Sequence, residues 1–256
     1  MKTIIPILLF VALAGCGDDS GKETSEKTLP QPETNQTPPQ PETKQGEPAN
    51  PLEERLSKAV FLGRLQEEDG NGSFAPNEDK PFTGWAKELS PSGNLVHLVQ
   101  YKDGQKNGPW TKWNEAGQKL SEGEWKNNES EGVWTEWNDS GQKIGEGRYK
   151  DGNMEGLWTY WHPNGQKWQE GEYKGGTEEG SWIEWYDNGQ KSEEGQWKDN
   201  HLDGRWTYWY KNGQKSSEGS FKEGSKEGLW IEYNEDGSES SRKTYAGGNA
   251  VENPAP

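Results

Sequence analysis

The chain has 256 residues, only 27% of which are apolar, and its mean hydropathy is −1.28. Fifteen Trp and nine Tyr supply much of the apolar area, which excludes a large aliphatic core and favours a thin sheet covered by flat rings. The formal net charge of −16 argues against a nucleic-acid partner, because phosphate backbones are bound by basic surfaces. One Cys and three His are too few for a disulfide framework or a Cys/His zinc site.

The N-terminus has the pattern of a signal peptide. Residues 1–15 contain one Lys, then a short apolar run that ends in small residues and is too short to span a bilayer permanently. The sequence Leu-Ala-Gly-Cys that ends at Cys16 resembles the bacterial lipobox. That resemblance implies acylation of Cys16, for instance with palmitate, and a lipid-anchored location in the bacterial cell envelope, on the outer membrane or the outer face of the inner membrane. An ordinary secretory signal that ends near a Cys is the alternative.

Two further segments precede the regular part of the chain. Residues 16–51 are rich in Pro and nearly devoid of apolar residues, so we expect a disordered linker that acts as a spacer. Residues 52–81 are expected to form an N-terminal cap, with a short helix over Leu52–Lys58, a strand over Val60–Leu65 and a turn at Asp69–Gly72. A cap of this kind shields the open edge of a repeat array.

A repeat with a fixed period of 24 residues occupies residues 82–247, in seven copies of which the first is degenerate. The clearest copy is Gly132–Lys150, in which a Gly-x-Trp-Thr-x-Trp segment leads through a Gly-containing turn to Gln-Lys-x-x-Glu-Gly-x-Tyr-Lys. The strand-forming residues and the turn predict one β-hairpin per copy, and a second polar loop, such as Asp151–Glu155, is expected to lead to the next copy. Residues 248–256 are expected to be a disordered tail. The predicted fold is therefore all-β, an elongated single-layer antiparallel β-meander of tandem hairpins.

Spacing within the copy predicts a role for each residue class. Trp134 and Trp137 are three residues apart and lie on opposite faces of a regular strand, whereas Gly147 leaves room for a neighbouring ring to lie flat on the backbone. Repeated Lys and Glu residues form ladders that keep the faces soluble. The predicted structural residues of the repeat are Gly108, Trp110, Trp113, Gly132, Trp134, Trp137, Gly156, Trp158, Trp161, Gly180, Trp182, Trp185, Gly204, Trp206, Trp209, Gly228 and Trp230.

The repeated unit resembles the MORN-repeat variant of bacterial proteins often labelled YwqK-family antitoxins. The resemblance covers about residues 82–247, and the first copy departs from it because Trp85 is shifted by one position and Leu89 replaces the second Trp. It implies an elongated antiparallel sheet used for binding, and an antitoxin role by inheritance of the label. A lipid-anchored protein outside the cytoplasm is badly placed to neutralise a cytoplasmic toxin.

We expect a membrane-anchored interaction scaffold without catalytic residues or a cofactor, because no nucleophile elbow, phosphate loop or metal cluster is present in the sequence. Its partner is an unknown protein or an envelope polymer; glycan binding by Trp and Tyr platforms and an antitoxin-like role are the alternatives. Positions that vary between copies are the candidate contacts, and we expect these side chains to be exposed: Tyr160, Tyr186, Tyr208 and Tyr210.

Overall fold

The computed structural model describes residues 51–68 and 72–251. They form helix α1 (Pro51–Lys58), a 3₁₀ turn (Leu62–Arg64) and strands β1 to β18. The strands are Val60–Phe61 (β1), Gln66–Glu68 (β2), Gly72–Phe74 (β3), Gly84–Leu89 (β4), Leu95–Lys102 (β5), Gln105–Trp113 (β6), Lys119–Lys126 (β7), Glu129–Trp137 (β8), Lys143–Lys150 (β9), Asn153–Trp161 (β10), Lys167–Lys174 (β11), Thr177–Trp185 (β12), Lys191–Lys198 (β13), His201–Trp209 (β14), Lys215–Lys222 (β15), Ser225–Tyr233 (β16), Glu239–Ala246 (β17) and Asn249–Val251 (β18).

Sixteen of these strands form one sheet, in the order β1, β4, and then β5 to β18 in sequence. Strands β1 and β4 are parallel, and from β4 to β18 each strand is antiparallel to the next. Strands β2 and β3 form a separate hairpin at the N-terminal end. The single-layer meander of tandem hairpins is therefore confirmed.

Two kinds of turn alternate along the array. The hairpin turn between β8 and β9 is closed by Asn138 and Gln142, and Gly141 has a φ of +80°. The connection to the next hairpin is shorter than predicted, because only Asp151 and Gly152 separate β9 from β10. Both residues have positive φ values (46° and 76°), as a type I′ turn requires. The strand therefore begins at Asn153, within the stretch interpreted from sequence as a loop.

Each repeat departs twice from regular pairing. Glu122 lies opposite Thr135 and Glu124 opposite Glu131, so three residues of β8 span the place of one residue in β7. Gly132 lies in this irregular segment with a φ of +71°, a conformation that disfavours residues with a Cβ. From Gly108 onwards, the first glycine of each copy therefore lies inside a strand, where the irregular pairing needs it, whereas Gly84 begins β4.

The second irregularity is one extra residue in the second strand of each hairpin. Glu136 lies opposite Gly145 and Trp137 opposite Lys143, which leaves Ile144 without a partner. Residues three apart in a regular strand lie on opposite faces, but this bulge brings Lys143 and Glu146 to the same face.

The N-terminal cap covers the first strand of the array. Leu62 and Leu65 pack against a buried cluster of Ala86, Val99 and Tyr101. The predicted helix is confirmed over Pro51–Lys58. The strand predicted over Val60–Leu65 is wrong beyond Phe61, because the chain turns at Leu62–Arg64 to place its leucines on this cluster.

The C-terminal end of the array lies later than predicted. Asn249–Val251 form β18, which pairs with β17 through partners such as Tyr245 and Ala250. Gly248 therefore belongs to a turn and Asn249–Val251 to the sheet, rather than to a disordered tail. The backbone amides and carbonyls of β17 account for this difference, because a further strand satisfies them. The rest of the predicted tail, at 252–256, lies outside the described residues.

Candidate functional site

One face of the sheet carries the first Trp of the second to seventh copies, and we call it the tryptophan face. The ring of Trp158 lies across Gly147 of the preceding copy, where a Cβ would come within 3.0 Å of the ring. This close approach is the role predicted for Gly147. Trp158 exposes 3% of its surface and Trp206 1%. The same overlap joins four further pairs: Gly123 with Trp134, Gly171 with Trp182, Gly195 with Trp206, and Gly219 with Trp230.

Hydrogen bonds and ring contacts hold these indoles in place. The closing aromatic residues pack edge-on against them, as Tyr149 does against Trp158 with ring centroids 5.0 Å apart. The backbone of the glycine and the neighbouring rings together bury these indoles. In three copies the indole N–H donates to the carbonyl that follows the covered glycine: Trp158 to Arg148 (3.1 Å), Trp206 to Gln196 (3.1 Å) and Trp230 to Ser220 (3.0 Å).

The two ends of the array lack the covered glycine. Val99 takes its position in the first copy, and Trp110, which follows, is half-buried rather than buried. Lys243 takes the position in the last copy, and β18 brings no Trp to cover it. The glycine is thus present where an indole has to lie flat and absent where none does.

A row of side chains crosses the tryptophan face from strand to strand, and we call it the polar row. Each member is the direct cross-strand partner of the next, and the pair of residues that a hairpin contributes differs from copy to copy. Its members are Glu88, His97, Lys112, Ser121, Glu136, Gly145, Tyr160, Gln169, Glu184, Glu193, Tyr208, Ser217, Glu232 and Ser241. The sequence does not indicate this row, because its register depends on both irregularities of the repeat.

Two carboxylates of the polar row face each other in the middle of the sheet. Glu184 of β12 and Glu193 of β13 are cross-strand partners, and both are half-buried. Burial raises the pKa of Glu193 to about 7, with a further contribution from the charge of Glu184. Burial also raises the pKa of Glu184 and, two hairpins away, that of Glu136. These carboxyls lie in an aromatic surface that opposes their ionisation.

The opposite face, which we call the ion-pair face, repeats one arrangement. Lys119 and Glu122 form an ion pair of 2.5 Å, as do Lys143 and Glu146. Equivalent pairs join Lys167 to Glu170, Lys191 to Glu194, and Lys215 to Glu218. Most of these side chains are more than one-third exposed, so each pair contributes little to stability. The lysine and glutamate ladders therefore neutralise each other locally.

In four copies the second Trp lies on the ion-pair face, half-buried beneath a lysine of the preceding copy. Trp113 is half-buried as well, and Leu95 takes the lysine position before it. The distances from Nζ to the ring centroid are 5.4 Å for Lys119 and Trp137, 5.6 Å for Lys143 and Trp161, 5.7 Å for Lys167 and Trp185, and 5.9 Å for Lys191 and Trp209.

The four predicted tyrosine contacts are all half-buried, so the expectation that they are exposed is wrong. Tyr186 donates its hydroxyl to the carbonyl of Trp209 (2.7 Å), and Tyr210 donates to the carbonyl of Tyr233 (2.8 Å). These two tyrosines join each hairpin turn to the following copy. Tyr160 and Tyr208 remain candidate contacts, because both belong to the polar row.

The acidic residues near the short turns also join neighbouring copies. Glu131 accepts a hydrogen bond from the backbone amide of Asp151 (3.1 Å), and Glu179 accepts one from Asp199 (3.0 Å). Their carboxylate oxygens therefore satisfy turn amides. Within residues 51–68 and 72–251, no group of three or more His, Cys, Asp or Glu side chains could hold a metal ion.

The array of hairpins with covered glycines has a counterpart among known protein families. Five copies match the MORN repeat variant. The matched residues are 106–127, 130–151, 154–174, 178–199 and 202–223, so the first copy and the last lie outside these stretches. MORN repeats are generally modules for interaction with proteins or membranes, and their fold is a non-catalytic scaffold. No curated protein matches the chain.

The predicted signal peptide, the predicted lipidation site Cys16 and nearly all of the predicted linker lie outside the described residues. In the part of the chain that the structure covers, no helix is long and apolar enough to cross a membrane.

Proposed function

We propose that this protein is a non-catalytic scaffold of MORN-variant repeats that binds a protein partner through the tryptophan face. The observation that carries the proposal is the polar row. The two irregularities and the covered glycine recur along the array, whereas the row places a different pair of side chains in each hairpin. Variation on an otherwise repetitive surface is suited to selecting one partner.

The cap and the open stretch of the same face support a protein as the partner. At the N-terminal end, Leu62 and Leu65 of the cap pack on Ala86 and Val99. The chain therefore contains an example of a polypeptide segment seated on this face. In the described residues, the helix, the first strand and the 3₁₀ turn of the cap make their main contacts with the sheet on β4.

The alternatives find less support in the geometry. Glycan binding needs accessible ring faces, but the indoles of Trp158, Trp206 and Trp230 are buried against glycines and neighbouring rings. An anionic membrane surface would be opposed by the net charge of −16. An antitoxin role rests on the resemblance alone and conflicts with the proposed location outside the cytoplasm.

We further propose that acylated Cys16 anchors the scaffold to a membrane of the bacterial envelope and that the Pro-rich linker holds the array away from it. Replacement of Cys16 by Ser should abolish incorporation of a palmitate analogue and release the full-length protein from the membrane fraction. Label that persists in the Cys16→Ser variant would contradict the anchor.

The binding face is tested by photo-crosslinking with the full-length protein in cells. Gln169 belongs to the polar row, and Gln196 follows Gly195 and lies on the ion-pair face, so a photoreactive residue at each position forms a matched pair. We expect a crosslinked protein from position 169 and none from position 196. Equal crosslinking from both positions, or crosslinking from position 196 only, would contradict the proposed face.

A further inference from the structure

Charges on the tryptophan face are segregated along the array. Lysines of this face lie near its two ends, at Lys106 and Lys112 of β6 and at Lys226 and Lys243 of β16 and β17. Between them, from β8 to β14, the face carries carboxylates and neither Lys nor Arg. These carboxylates are Glu136, Glu178, Glu184 and Glu193.

At both ends, the chain places its own lysines over the aromatic layer. Lys106 Nζ lies 4.8 Å from the ring centroid of Trp125. Lys226 Nζ lies 4.1 Å from the ring centroid of Trp230 and 5.2 Å from that of Tyr245. A cation over an aromatic face is attracted by the negative charge of the ring surface. In the four central copies, the equivalent position holds Ser130, Met154, Glu178 and Leu202.

The central carboxylates lack a countercharge. Within the described residues, Glu136, Glu178, Glu184 and Glu193 form no ion pair, in contrast to the glutamates of the ion-pair face. Directly opposed like charges in a sheet are unfavourable, and Glu184 and Glu193 are such a pair. Burial raises the pKa of each of the four carboxyls. A cation bound at this surface would relieve both the repulsion and the desolvation.

We infer that the tryptophan face from β8 to β14 binds an extended polypeptide segment whose Lys or Arg side chains contact the central carboxylates and rings. The inference rests on the proposed scaffold function and specifies the chemistry of its partner. Charge complementarity selects this occupant, and the lysines of the end copies show how such a side chain lies on the rings.

Other occupants fit less well. In a second copy placed face to face, the same carboxylates would face those of the first copy, and the like charges would repel each other. The chain's own segment between residues 17 and 50 contains three Lys against seven Asp and Glu, so it lacks the required positive charge. An anionic lipid surface has the wrong sign.

The strand spacing sets the spacing of the basic residues. Glu136 and Glu184 are four strands apart, about 19 Å at the usual separation of about 4.8 Å. An extended segment rises about 3.3 Å per residue, so about six residues span that distance. A suitable probe is a soluble Thr/Ser peptide in which two Lys pairs are six residues apart, and its control has Gln in place of every Lys.

The test measures the affinity of both peptides for the full-length protein and two double variants of equal net charge. Glu184→Gln/Glu193→Gln removes the central carboxylates, whereas Glu124→Gln/Glu172→Gln removes two exposed carboxylates of the ion-pair face. We expect the first double variant to weaken binding of the Lys peptide by at least about tenfold, because contacts to partly buried charges are lost. The second should change it by less than about threefold, and the Gln peptide should not bind.

The variant Glu178→Lys introduces a lysine at the position that Lys106 and Lys226 occupy near the two ends of the array. A lysine at this position should cover the central rings as Lys106 and Lys226 do at the ends, and so abolish peptide binding without unfolding the array. Circular dichroism of every variant checks the fold. Binding of the Lys peptide to Glu178→Lys with unchanged affinity would contradict the inference.

Three further outcomes would overturn the inference. The first is an equal loss of affinity for the Lys peptide in both double variants, which would indicate unspecific attraction. The others are no binding of the Lys peptide, and binding of anionic vesicles or of a second copy instead. If the peptide fails to bind while position 169 crosslinks a protein in cells, the basic-segment inference is wrong and the proposed scaffold function stands.

Discussion

Strand β14 carries two tryptophans with contrasting surroundings. On the tryptophan face, Trp206 exposes 1% of its surface and lies across Gly195 of the preceding copy. Three residues later, on the ion-pair face, Trp209 is half-buried beneath Lys191, whose Nζ lies 5.9 Å from the ring. The contrast teaches that the first Trp of a copy holds neighbouring copies together, whereas the second forms a solvated surface with its lysine. Four comparisons test this division of roles.

The largest difference is expected between Trp206→Ala and Trp209→Ala. Loss of the buried indole should reduce the free energy of unfolding by about 3–5 kcal/mol. Loss of the half-buried ring should cost about 1 kcal/mol, since less apolar area returns to water. Urea unfolding followed by fluorescence measures both. Equal costs would contradict the different roles of the two faces.

Gly147→Val tests the overlap directly. Its side chain would occupy the space of the Trp158 ring, so we expect a loss of about 1–3 kcal/mol from overpacking. Ser181→Val is the matched control, because position 181 is exposed and equivalent positions hold Val133 and Leu157. The control should stay within about 0.5 kcal/mol of the wild type. Hydrogen exchange should increase in β9 and β10 of Gly147→Val only, and unchanged exchange there would exclude the overlap as the cause.

The two kinds of tyrosine are separated by removal of one hydroxyl. Tyr210→Phe deletes the hydrogen bond to the carbonyl of Tyr233 and should cost about 1 kcal/mol in thermal unfolding experiments. Tyr208→Phe should have almost no effect on stability. The pKa of Tyr208 is raised by burial and not by a hydrogen bond of its hydroxyl, so the substitution removes no such bond. A larger loss in Tyr208→Phe would assign that tyrosine a structural role.

The smallest effects are pH-dependent and opposite in sign. The raised pKa of Glu193 means that its protonated form favours folding, so its contribution is largest below about pH 4.5 and disappears as pH rises through about 7. Glu193→Gln should therefore raise the melting temperature at pH 8 and have less effect at pH 5. The change should stay below about 1 kcal/mol, because the side chain is partly solvated.

Glu218 is the opposite case on the ion-pair face. Hydrogen bonds from Lys215 and Arg205 lower its pKa to about 2. Its contribution is therefore present above about pH 4.5 and is lost as pH falls towards 2. Glu218→Gln should lower the melting temperature at pH 7, with a difference that vanishes in acid. The same sign for both variants at neutral pH would contradict the comparison of the faces.

The fold follows from sequence because its signals are local and repeated. The period, the glycine of each hairpin turn and the strand-forming residues together predict the meander. The role of Gly147 could also be predicted, because a glycine between positions with aromatic side chains lets a neighbouring ring lie flat on the backbone. The length of the second turn is predicted wrongly, because polar residues such as Glu155 favour a longer loop, although Asp151-Gly152 suits a two-residue type I′ turn.

The candidate site could not be predicted, because it depends on register. A shift of one residue moves a side chain to the other face of a sheet, and each copy contains two irregularities. Without their positions, the pairing of Glu184 with Glu193 is not visible. The bonds of Tyr186 and Tyr210 join residues 23 positions apart, so variation between copies alone suggested free contacts there.

The overlap of each indole with the glycine before it gives the array a direction. An internal copy both receives a ring from the copy that follows and sends its own ring to the copy that precedes. Duplication of such a copy within the gene would lengthen the sheet without a misfit. Duplication of the last copy would instead bring an indole onto Lys243. The array can therefore evolve in length by internal expansion, while its terminal copies remain single and define where it stops.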